Sequence, residues 1–334
     1  ARAETLAEYY CRVQWAVRPV TAVECPVALG RELPMNTGPI VEKEVTETAK
    51  KLKWDKACGK DGVPAEFWKA VCEPGTAACK WALSLCAKCW AESCVPSDWH
   101  EALVTAIFKK GDAAKCENYR PISLLPIGYK LFAAILLQRL KNGNAEKRLW
   151  KTQFGFRSRH GTADALFLAR RLLEKVWARQ DGQLVFLALD WAKAFDSVSP
   201  EALSAALTRF GVPQKFVAAV RAIYTGRTFA VRDAGCTSQP WDQHFGISQG
   251  SPLSPFLFSI VMTVLIHDAK GGEGRIDSSL LVDELMYADD TLVVYGGVTG
   301  CGAGGAVHAQ DSGSWQKLWT RFQLEKARDV TCEM

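Results

Sequence analysis

Apolar and polar positions along this chain follow two rhythms. Strand-length runs rich in β-branched and aromatic residues occur at 102–108, 184–189 and 228–232, around 241–246, and on both sides of Asp289-Asp290. Such runs, bounded by turn residues, predict strands. A helical rhythm covers 40–52, where Ile40, Val41, Val45 and Leu52 mix with charges, then 66–90 around Pro74-Gly75, and 129–140. The sharpest boundaries belong to a helix that Ser199 caps and Pro200 opens, that carries Leu203, Leu207 and Phe210 inward, and that Gly211 ends. A second helix follows Pro213 and stops near Gly226, and Ser254-Pro255 opens an apolar helix reaching Ile266. That stretch is shorter than the roughly 20 residues of a membrane span, so it predicts a buried helix and no membrane partner. Residues 1–35 show no usable periodicity and read as a connector from an upstream domain, and the glycine-rich stretch 296–305 reads as a flexible loop.

Acidic residues give this pattern its chemistry. The run Leu285-Met286-Tyr287-Ala288-Asp289-Asp290-Thr291-Leu292-Val293-Val294-Tyr295 reads as a hairpin with two carboxylates at its turn, and the strand ending at Leu189 delivers a third, Asp190. Two such charges about 4 Å apart repel by about 4 kcal/mol at an effective dielectric of ~20, so a fold that gathers them calls for a cation. Asp190, Asp289 and Asp290 form a hard-oxygen set suited to Mg²⁺, or to Mn²⁺, with positions left for water and phosphate. The chemistry that uses it is two-metal phosphoryl transfer. An Asp-Asp pair alone is ordinary turn chemistry, and only its company separates the two readings.

Charge and cysteine content narrow the picture further. The net charge of +5 is unevenly spread: residues 101–180 hold sixteen Lys and Arg against six Asp and Glu. A basic face beside an acidic metal site suits a polyanionic partner. Twelve cysteines with no secretory signal pattern argue for free thiols in a reducing compartment, hence an intracellular location, nuclear or cytoplasmic. Cys72, Cys79 and Cys86 fall seven apart on one helix face, which favours core cysteines over a zinc cluster at Cys86 and Cys89.

Further motifs carry cations and aromatics. Lys109-Lys110-Gly111-Asp112 leads to Asn118-Tyr119-Arg120-Pro121-Ile122-Ser123-Leu124-Leu125, and Arg120 with Lys130 could grip a triphosphate. The block 153–162, with Gln153, Phe156, Arg157 and Arg159, offers stacking planes and phosphate partners to a single-stranded template. In Ser248-Gln249-Gly250-Ser251-Pro252, Gly250 permits close backbone approach and Gln249 can bond a sugar or base.

Taken in order, Lys56 to Phe67, the Lys109 to Leu125 block, the Gln153 block, Asp190-Trp191-Ala192-Lys193-Ala194-Phe195-Asp196, the Gln249-Gly250 block and Tyr287-Ala288-Asp289-Asp290 resemble the reverse transcriptases of LINE-type non-LTR retrotransposons. The resemblance covers roughly 40–334. It implies an α+β right-hand polymerase: fingers mainly from 40–180, a palm mainly from 181–334 whose antiparallel sheet carries the three acids, a connector of unknown role at 1–39, and a thumb lying beyond Met334 in a longer polyprotein. It further implies two Mg²⁺ on Asp190, Asp289 and Asp290, dNTP contacts at Arg120, Lys130, Gln249 and Gly250, and a steric gate at Phe195. Template contacts would come from Gln153, Phe156, Arg157 and Arg159, with Asp196 a structural acid. A primer 3′-hydroxyl would attack the α-phosphate of a dNTP on an RNA template at a DNA target. The same motifs are open to two other readings: a group II intron maturase-like enzyme, and a decayed, inactive nucleic-acid-binding fragment in which Val330 replaces the family's lysine in the closing motif.

Overall fold

The structure, a computed structural model, describes residues 2–18, 27–178, 182–269 and 284–298. Its strands among these residues are β1 (Glu101–Phe108), β2 (Tyr119–Leu124), β3 (Gly182–Leu189), β4 (Thr228–Asp233), β5 (Cys236–Thr237), β6 (Trp241–Asp242), β7 (Glu284–Tyr287) and β8 (Asp290–Val298). They form two sheets, and the chain divides into two compact units, each holding one of them. Among the described residues, 2–18, 27–145 and 195–254 form the first, and 146–178, 182–194, 255–269 and 284–298 the second.

In the first unit β1 pairs antiparallel with β2 and parallel with β4, whose other side meets β5 and β6. Of the strand-like stretch 241–246, only Trp241 and Asp242 take strand form. The helix Ile127–Asn142 is buried around most of its circumference, as its apolar run Leu131 to Leu137 predicts. Its one buried cation, Arg139, is 2 % exposed and fully engaged. Nε and Nη2 donate to the two oxygens of Glu44 (2.7 Å each), and further bonds reach the carbonyls of Gly38 (2.8 Å) and Pro39 (2.9 Å). Such complete pairing is what allows a charge into a core. Cys72, Cys79, Cys86 and Cys89 are buried as free thiols. Burial pushes Cys72 and Cys89 up to about 11, which makes them inert packing groups.

The helix Pro200–Phe210 has the ends its sequence specifies: Ser199 Oγ accepts from Ala202 N (3.0 Å), and Gly211 takes a left-handed φ of 88°. The N-terminal stretch differs from its reading as a patternless connector. Residues Arg2–Tyr9 form a helix continued by a wider turn through Gln14, burying Ala3, Leu6, Ala7, Tyr10 and Gln14. The stripe has helical spacing, but alanines and a glutamine disguise it.

In the second unit β8 pairs antiparallel with β3 on one side and β7 on the other. The strand β8 continues through Gly296 and Gly297 to Val298, which corrects the loop expected from 296. The remainder of that glycine-rich stretch and the closing motif at 323–334 lie outside the described residues. The helix Thr162–Trp177 lies on one face of this sheet, over a cluster of Phe154, Leu172, Leu285 and Val294. The helix Ser254–Ala269 buries Phe256, Leu257, Phe258, Ile260 and Val261. Among the described residues no helix is long and apolar enough to cross a membrane.

Candidate active site

The second unit holds all three acids at one end of its sheet. Tyr287 pairs with Asp290, so β7 and β8 are joined by a two-residue turn, Ala288-Asp289. Ala288 takes φ 60°, the only positive φ of the two, which is the signature of a II′ turn normally given to glycine. The β3–β8 register ends with Leu189 opposite Thr291, so Asp190 follows one step beyond, level with Asp290. Side chains alternate along strands, and Asp190 and Asp290 both line a cleft of about 540 Å³ beneath the Thr162–Trp177 helix, with Ala188, Leu285 and Leu292. Both are exposed and Asp289 is half-buried.

The acid-bearing strands are tied together just inside this edge. Trp191 Nε1 donates to Thr291 Oγ1 (2.9 Å), and Thr291 Oγ1 donates to the carbonyl of Asp289 (3.1 Å). Trp191 and Thr291 are buried, so this chain is shielded from water and fixes the turn against the end of β3. Nothing in the local sequence signals it, because both residues fit an apolar strand environment without a partner.

The acids fit a divalent ion by donor chemistry and by backbone placement. Their side chains as they stand do not close round one: among the described residues no three His, Cys, Asp or Glu side chains gather as a metal cage.

The block 153–162 divides sharply. Phe156 and Arg159 are exposed at left-handed φ of 60° and 61°. Gln153 is not available for that task, since it is 1 % exposed and its amide bonds the Ala288 turn. Arg157 is also turned inward: Nη1 donates to the carbonyls of Gln153 (3.1 Å), Trp150 and Lys151 (3.4 Å each).

In the first unit, Phe195 opens a short 3-10 turn, Phe195–Ser197, half-buried, with its carbonyl accepting from Ile247 N (2.8 Å). Next to it Asp196 is 3 % exposed and accepts from Trp15 Nε1 (2.7 Å), Gln14 Nε2 (2.8 Å) and Gln249 Nε2 (2.9 Å). Gln249 therefore holds Asp196, and its carbonyl accepts from Ser123 N of β2 (2.9 Å). Gly250, at φ 139°, passes so close to β2 that a Cβ there would stand 2.2 Å from Ser123 O. Arg227, missed from the sequence, lies buried over the Tyr224 ring and donates to the Gly246 carbonyl (2.6 Å), and burial lowers its pKa. Arg120 is exposed on β2, whereas Lys130 is half-buried, and desolvation lowers its pKa against the opposing pull of Asp61.

Three carboxylates stand on adjacent strand ends, one of them in a hairpin turn, and the chain is similar to known proteins. The reverse transcriptase (RNA-dependent DNA polymerase) family matches residues 107–302. The chain is 29 % identical over 283 residues to the putative 115 kDa protein of the type-1 retrotransposable element R1DM of Drosophila melanogaster, covering 84 % of this chain and 25 % of that protein. It is 30 % identical over 242 residues to the RNA-directed DNA polymerase from the mobile element jockey of Drosophila melanogaster, covering 71 % and 26 %. A 149 kDa protein of transposon TX1 of Xenopus laevis is 28 % identical over 80 % of this chain and 20 % of its own length. The chain thus spans about a quarter of the length of these relatives. All three are products of mobile elements, and the segment that matches the family contains Asp190, Asp289 and Asp290. This chain belongs to the reverse transcriptase family.

Proposed function

We propose that this chain catalyses RNA-directed DNA synthesis as the polymerase segment of a larger intracellular retrotransposon protein. The observation that carries this is the β3–β8–β7 register, which brings Asp190 level with Asp290 and sets Asp289 in the turn beside them. In the reaction a primer 3′-oxygen bonds the α-phosphorus of a dNTP, and the bond to the departing pyrophosphate breaks. Asp190, Asp289 and Asp290 would hold Mg²⁺ or Mn²⁺. When bound, these ions lower the pKa of the attacking hydroxyl and offset charge on the leaving phosphate. The chain's own groups supply the rest. Arg120 offers a planar fork to the triphosphate, and half-buried Lys130 a point charge. Gly250 holds the backbone of the Gln249 block tight against β2, and Phe195 would reject a ribonucleotide by its 2′-hydroxyl. Phe156 and Arg159 present an aromatic plane and a cation to the RNA template.

The test is primer extension with dNTPs on an RNA template in Mg²⁺ or Mn²⁺. The chain should extend, Asp289→Asn should not, and both should bind RNA alike. Extension by the Asp289→Asn variant at the parent rate would refute the assignment.

A further inference from the structure

Residues 152–155 lie alongside β7 as a short parallel companion: Met286 N donates to Thr152 O (2.9 Å) and Phe154 N to Met286 O (2.8 Å). Within this companion the Gln153 side chain closes on one residue of the acid-bearing turn. Its Oε1 accepts from Ala288 N (2.9 Å) and Gly155 N (2.8 Å), and its Nε2 donates to Ala288 O (3.0 Å). One amide therefore satisfies both backbone groups of Ala288, as a neighbouring strand would. Gly155 brings the backbone in closer still, for a Cβ there would stand 2.1 Å from Ala288 N. Ala288 itself holds a left-handed φ that an alanine keeps only under constraint.

We propose that Gln153 is a positioning residue: it fixes the Ala288 peptide and, through it, the placement of Asp289 and Asp290. This rests on the nucleotidyl-transfer reading above. It differs from a template contact, which would need the side chain in solvent. A buried primary amide is suited to the task because it presents an acceptor and a donor side by side, matching one residue's N–H and C=O.

The experiment uses the full chain with Gln153→Met, which keeps length and removes both polar groups, and Gln153→Glu, which keeps the acceptor. Backbone amide exchange is followed in the peptide spanning 284–292, alongside RNA affinity and single-turnover extension. For Gln153→Met, exchange in that peptide should quicken about tenfold while the rest of the chain is unchanged. The extension rate should fall at least about tenfold, with dNTP KM and RNA affinity within about twofold of the parent. Gln153→Glu should behave likewise at pH 8 and recover relative to the parent as pH falls toward 6. A carboxyl buried there has a raised pKa, and its protonated form again offers both a donor and an acceptor. Tenfold weaker RNA binding with unchanged exchange would overturn the proposal in favour of a template contact. Faster exchange across the whole chain in both variants, without recovery at low pH, would overturn it in favour of an ordinary core residue. A parent chain that fails to extend any primer counts against the polymerase reading alone, and the local exchange ratio still decides whether Gln153 holds the turn.

Discussion

Asp290 and Asp196 stand in opposite circumstances, although both belong to acidic motifs of the sequence. Asp290 is exposed at a sheet edge with Asp190 level beside it. Asp196, six residues beyond Asp190, is 3 % exposed and saturated by the donors of Gln14, Trp15 and Gln249. A carboxylate with three protein donors has little capacity left for a metal ion, whereas one facing a like charge in an open cleft has most of it. The contrast separates an acid left open to a ligand from a brace by what already surrounds each.

The widest separation comes from matched substitutions. Asp289→Asn removes a charge from the open edge and should lower extension by about 10³-fold, ~4 kcal/mol of barrier, with thermal stability nearly unchanged. Asp196→Asn should do the reverse. Its new NH₂ group faces donors, and the unmade bonds should cost about 2 kcal/mol of stability, read as a lower urea midpoint, while measurable extension persists. If Asp196→Asn abolished extension without loss of stability, the brace reading would fail.

A second bonded acid, Glu44, sharpens the comparison with a pH dependence. Burial pushes the Glu44 carboxyl up, but hydrogen bonds from Arg139 and Val41 N and the Arg139 charge outweigh it and hold its pKa below the ordinary value. A depressed folded pKa contributes stability that is complete above the unfolded value of about 4.3 and fades as pH falls through the lower folded value. Glu44→Ala strands a guanidinium that is 2 % exposed and should cost about 3 kcal/mol at pH 7. The gap between parent and variant urea midpoints should narrow below pH 4, and a constant gap would contradict the pairing.

Local signals were legible and distant ones were not. The strand ending before Asp190, the Ser199 cap, the Gly211 stop and the hairpin at Asp289 each depend on residues within a few positions of one another, so pattern and turn chemistry expose them. The bonds that define the sites join residues far apart: Gln153 to Ala288 across 135 positions, Trp15 to Asp196 across 181, Arg139 to Glu44 across 95. Gln153 and Arg157 show the cost. A polar residue in a motif reads as a contact for ligand, and only burial reveals that its partners are carbonyls and amides of the same chain.

Phe195 tests whether the residue next to the brace still works as a gate. Its ring is half-buried, so Phe195→Val should raise rNTP use relative to dNTP by about tenfold while dNTP use persists, since a gate acts by rejection. Equal loss of both nucleotides would assign the ring to packing.

The smallest effect distinguishes two cations as the acids were distinguished. Arg159 is exposed, while Arg157 donates to three backbone carbonyls of its own loop. Each phosphate neutralised on a single strand contributes about −0.7 to the slope of log K against log salt. RNA affinity should fall steeply with salt because residues 101–180 carry the excess of positive charge. Arg159→Ala should make that slope shallower by about 0.7 and leave the melting temperature alone. Arg157→Ala should leave the slope as it was and lower the melting temperature, because the carbonyls of Trp150, Lys151 and Gln153 lose a shared donor and the loop beside the Ala288 turn loosens. Salt titrations of both variants beside the parent decide the matter. A slope that changes for Arg157→Ala and not for Arg159→Ala would mean that the loop reverses these two side chains when RNA binds.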